Sequence, residues 1–148
     1  MAGSRVRDCV NAAVDALKVD SGLLALVGTD KVHTHLKQGT DPPYILLMGG
    51  DEAPWVVDFG DDSGGRQVDV IVQCSSTYRG SLQVDSIASR VMEVLLGESP
   101  ASPPNCWDSV SGASAVDFVR NAFQPPVDLN SDGVLWFQRF VTVRVSLV

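Results

Sequence analysis

Cysteine is scarce in this chain: Cys9, Cys74 and Cys106 are the whole set in 148 residues. Their odd number, wide spacing and lack of a C-x-x-C pair argue against a disulfide framework or a cysteine zinc site, and buried reduced thiols are the expected state. Histidine is scarcer still, with only His33 and His35. The two share one face of a short strand, but no carboxylate or thiolate at matching spacing completes a ligand set, so neither a metal nor a cofactor is expected. Positive charge is outnumbered, eleven Lys and Arg against eighteen Asp and Glu, for a net charge of −7. That balance opposes binding to phosphate backbones or anionic lipid, and no sequence-specific nucleic-acid binding is expected. No apolar run approaches membrane-spanning length. Asp8, Asn11 and Asp15 interrupt any apolar region behind Arg5 and Arg7, so the N-terminus does not read as a secretory signal, and a reducing cytosol is the expected compartment. The glycines of "MGGDEAP" and "DSGGR" open no helix and have no adjacent lysine, which removes a phosphate-cradling loop.

What is present is an ordinary globular balance, 45% hydrophobic and 20% charged. It suits one domain, residues 1–148, large enough to bury a core without staples. Val6, Cys9, Val10, Ala13, Val14 and Leu17 recur at helical spacing behind Ser4 and predict a helix to about Lys18. Asp20 or Ser21 can cap a second short helix, "GLLALVG", which Gly28 stops. "KVHTH" and "YILLM" read as strands, "GGDEAP" as a break, "WVVDF" as a weaker strand and "GDDSGG" as a turn. "RQVDVIVQCSS" then alternates, with Val68, Val70, Val72 and Cys74 on one face and Gln67, Asp69, Ile71, Gln73 and Ser75 on the other. Residues 81–96 form the main helical stripe, ended by Gly97. "ESPASPPNCWDSVSG" is a long proline- and serine-rich excursion with an expected interaction role or local mobility, and two closing strands follow. The order predicts an α+β domain with a largely antiparallel or mixed sheet, an N-terminal helix and one main helix packed on one face.

Two decoys are removed on chemical grounds. "DLNSDGVL" (128–135) looks like the start of a calcium loop, yet its twelfth position is Arg139, a cation where a bidentate glutamate is needed. Pro125 and Pro126 also forbid an entering helix, so a polar turn before the last strand is the expectation. "GDDSGG" resembles the nucleophile loop of chymotrypsin-like proteases, but 148 residues cannot supply two barrels, and neither histidine lies in a fitting motif. No catalytic residues are assigned.

Two surface features stand out. Residues 51–65 hold Asp51, Glu52, Asp58, Asp61 and Asp62 without a base. They form either a solvated hairpin tip or a charged surface that meets a basic partner or lines a channel. On the last strand, Trp136 and Phe140 stand on the mostly polar side, where they are packed under a loop or left for another subunit.

The residues also carry a family resemblance. "LLALVG", "KVHTHLKQGTDPPYILL", "RQVDVIVQCSSTYRGSLQVDSIASRVMEVLLG" and "FQRFVTVRV", in this order, resemble the tail-terminator or tail-completion proteins of long-tailed bacteriophages. The acidic hairpin and the 98–112 excursion depart from that pattern. The resemblance implies a structural virion protein without catalysis: a homohexameric ring at the head-proximal end of the tail, assembled in the host bacterial cytoplasm. It would cap the tail tube, end its polymerisation and join the tail to the neck. Its partners would then be other copies of itself, the tail tube protein and a neck or head-completion protein. Ring closure needs a heterologous interface, for which Trp136, Phe140, Pro103, Pro104 and Trp107 are the candidates. The competing expectation is another phage neck or tail component, or a generic α+β protein-binding module.

Overall fold

The computed structural model describes residues 2–35, 43–54, 65–77, 82–97, 105–127 and 135–147. Helix α1 (Ala2–Val19) buries the predicted stripe, with Cys9, Ala13 and Leu17 fully enclosed. Asp20 caps α2 (Ser21–Val27): its Oδ2 accepts from the Leu23 amide at 2.9 Å, satisfying one of the orphan donors of the first turn. Gly28 ends α2 at φ 89°, a conformation that a side chain would strain. Helix α3 (Leu82–Leu96) turns Val84, Ile87, Ala88, Val91 and Leu95 wholly inward.

Five strands form one mixed sheet in the order β1-β2-β3-β5-β4. They are β1 (Val32–His33), β2 (Tyr44–Pro54), β3 (Arg66–Ser76), β4 (Ala113–Val127) and β5 (Trp136–Leu147). β1 runs parallel to β2, and the other pairings are antiparallel. Period-two alternation sends Val68, Val70, Val72 and Cys74 of β3, with Val141, Val143, Val145 and Leu147 of β5, into a core shared with all three helices. The predicted α+β class and its one-sided helix layer are therefore present.

Three sequence expectations change. "GGDEAP" does not break β2; the strand continues to Pro54 through a bulge between Gly49 and Glu52. A bulge inserts one residue without ending the pairing, which lets strand-poor residues stay in the ladder. β1 is only two residues of the expected "KVHTH" strand. Trp107, expected on an exposed excursion, is fully buried: residues 105–109 form a short 3-10 helix that inserts its indole into the core. The indole N–H donates to the Leu95 carbonyl at 2.8 Å, supplying a partner to an orphan acceptor in the last turn of α3. Trp107 is therefore withdrawn from the interface candidates. "WVVDF", Pro103, Pro104, Asp58, Asp61, Asp62 and the turn at 128–134 lie outside the described residues.

Two ionic contacts tie elements together, one within the helix layer and one between the sheet and α3. Arg90 of α3 donates to both carboxylate oxygens of Asp20, at 2.7 and 2.8 Å. Those bonds hold the Asp20 carboxyl below its usual range. Arg139 of β5 pairs with Asp85 of α3 at 2.5 Å and lies over the Phe123 ring at 5.2 Å. The arginine that argued against a calcium loop is a sheet-to-helix link.

Candidate assembly surface

The sheet face opposite the helices carries Leu46 and Met48 of β2, Asp69, Ile71 and Gln73 of β3, and Trp136, Phe140, Thr142 and Arg144 of β5. Among the described residues no helix covers it. Strand alternation alone makes it continuous, because each of these residues neighbours an inward-facing one. Its charged end is set by Arg144, which grips the Asp69 carboxylate across the strands at 2.8 and 3.3 Å. Its aromatic end is partly closed. Trp136 meets Tyr44 edge-on at 6.1 Å and 67°, and Tyr44 is only 3% exposed. Phe140 is half-buried between Gln73 and Ala122. Trp136 and Phe140 thus share the helix-free face, some distance from the buried Trp107.

The acidic candidates that can be placed, Asp51 and Glu52, part company. Asp51 is exposed at the bulge. Glu52 is paired with the inward-facing Val68, and its carboxylate approaches Arg66 at 3.8 Å, too far for a hydrogen bond. Without the extra residue of the bulge, Val68 would oppose Asp51, so the inward turn of Glu52 was not readable from spacing.

Chemistry elsewhere is sparse. Burial pushes the Cys9 and Cys106 thiols up to about 11 and Cys74 to about 12, so none is a thiolate nucleophile near neutral pH. No group of three His, Cys, Asp or Glu able to hold a metal occurs among the described residues. Sequence reasoning missed a set of exposed apolar side chains: Val19 and Leu24 at the α1–α2 corner, Leu82 at the start of α3, and Phe118 and Phe123 on edge strand β4. Val19 lies beyond the predicted α1 stripe, and Leu82, within the predicted 81–96 stripe, is exposed instead; nothing in the sequence marks Phe118 and Phe123, which pair with Val143 and Arg139 on the helix side of β4, at a sheet edge the helices leave open.

These features define an α+β structural domain with an open sheet face, and comparison with solved structures finds the same fold in a virus-like particle. A chain from "Virion of native gene transfer agent (GTA) particle" superposes with a TM-score of 0.61, at 19% identity, over 95% of each chain. No curated protein matches the sequence. Residues 11–146 match the family described as Tail completion protein gp17, and the chain belongs to that family. It is a structural protein of the phage tail.

Proposed function

We propose that the protein is a tail terminator: a homohexameric ring that caps the tail tube, stops its polymerisation and presents a second surface to the neck at the head-proximal end of the tail. The observation that carries this reading is the family match over residues 11–146. The likeness to a chain of the gene transfer agent particle supports it at the level of fold. The physics is compatible. A closed ring needs two different complementary patches on each subunit, and the helix-free face with Trp136 and Phe140 is one candidate. Burying two aromatic rings is a large source of interface energy.

Where a neighbouring subunit does not engage it, the acidic stretch has two places in such a ring. Facing the lumen, its carboxylates repel DNA phosphates and keep the passage from sticking. Facing the tube or neck, they make docking salt-sensitive. Deleting the protein from the phage that encodes it is the direct test, read as tail length by electron microscopy. Overlong tubes without heads are expected; tails of normal length and normal head attachment would reject termination.

A further inference from the structure

Beside the C-terminal end of α1 lies a cavity of about 340 Å³, lined by Lys18, Leu24, Gly28, Thr29, Lys31 and His33 among others. Among the described residues that line it are two lysines and a histidine against one acid, Asp30, in a chain of net charge −7. The Nε2 atom of His33 is buried there and has no hydrogen-bond partner among the described residues. An unsatisfied buried polar atom is costly, and a ligand that reaches it removes that cost. Leu24 at 39% exposure, and Val19 at 78% nearby on α1, add apolar surface to the same corner.

The complementary chemistry occurs elsewhere in the sequence. The stretch 51–62 carries Asp51, Glu52, Asp58, Asp61 and Asp62 interleaved with Trp55, Val56, Val57 and Phe59, and it contains no base. Asp51 is exposed on β2, five positions beyond Leu46, the residue that pairs with His33. At about 3.3 Å per residue that is roughly 16 Å along the strand. Cavity and acid thus occupy different places on the subunit, as a head-to-tail contact requires.

We propose that this cavity is a socket for carboxylates of the 51–62 stretch of a second copy of the chain, with Lys18, Lys31 and His33 receiving the charge and Val19 and Leu24 the apolar side chains. The proposal rests on the ring reading and names one of its interfaces. Burial, then Lys31, His35 and Lys18, push the His33 pKa down in the free subunit, while Asp30 opposes them. A docked carboxylate opposes that shift, so association takes up a proton and tightens as pH falls.

The test uses two full-length variants, K18E/K31E and D51K/D58K/D61K/D62K, with assembly followed by mass photometry and folding by circular dichroism. Each alone should weaken association by about tenfold or more. Their equimolar mixture should recover it, because each reversed socket meets a reversed stretch. The H33Q variant should assemble with the pH dependence removed. If wild type assembles and the variants assemble equally well, or the mixture fails to recover, the socket is rejected while the ring stands. Wild type that stays monomeric at every concentration rejects the ring itself, and the socket with it. Should a charge-reversed chain fail to fold, K18Q/H33Q decides by the same criterion: undiminished assembly overturns the socket.

Discussion

Trp107 separates a core role from a surface role. A tryptophan buries roughly 200 Å² of side chain, and at about 25 cal/mol per Å² its full enclosure is worth about 5 kcal/mol. Core Trp→Ala substitutions cost about 3–5 kcal/mol, and the indole N–H bond to Leu95 puts Trp107 toward the upper end. A domain of this size loses about 2–4 °C of Tm per kcal/mol, so Trp107→Ala should melt roughly 10–15 °C below wild type. Trp107→Phe should fall between them, since it keeps the ring but leaves a helix-terminal acceptor without its donor, at a cost of about 1–3 kcal/mol. Calorimetry with urea midpoints at unchanged slope checks both values. A Trp107→Ala protein that melts like wild type yet fails to assemble would overturn the core placement and restore Trp107 as a contact residue.

Gly49 is where α1 crosses β2: a Cβ there would collide with a methyl of Val6, a side chain held stiff by its branching. Gly49→Ala should therefore cost about 1–3 kcal/mol, seen as a lower urea midpoint. Asp20 has a depressed folded-state pKa, so its stabilisation is complete above the ordinary carboxylate value of about 4 and is lost as pH falls through the lower folded value. Acid titration of Asp20→Asn should thus show a shallower loss of stability below about pH 4 than wild type; parallel curves would refute the pairing. Replacing Trp136 and Phe140 with Ser and Thr should shift light-scattering mass toward monomer with the fold retained. Unfolding instead would assign both rings to the subunit's own packing.

The regular elements were legible because burial imposed a period. The Val68–Cys74 alternation and the Val84–Leu95 stripe each sit against a single core, so sequence spacing maps onto geometry. Legibility failed where one residue changed the count or where composition misled. The bulge after Gly49 kept "GGDEAP" in the sheet and turned Glu52 away from Asp51. The proline- and serine-rich setting of Trp107 looked like surface, although its indole fills the core below α3. The open face was half readable: Trp136 and Phe140 were seen on the polar side of β5, but their neighbours Leu46, Met48 and Arg144 become a surface only once strand order is known. The cavity around His33 was invisible because Lys18, Lys31 and His33 come from a helix, a loop and a strand.

In the proposed role, copies of this chain close into a ring on the end of a tail tube. Electron microscopy of the purified protein, alone and mixed with polymerised tail-tube protein, tests it most directly. Homohexameric rings seated on one end of the tubes are expected, with tubes that no longer lengthen when fresh tube subunits are added. Tubes that keep growing with bare ends, beside a protein that stays monomeric or binds along the tube wall, would contradict it.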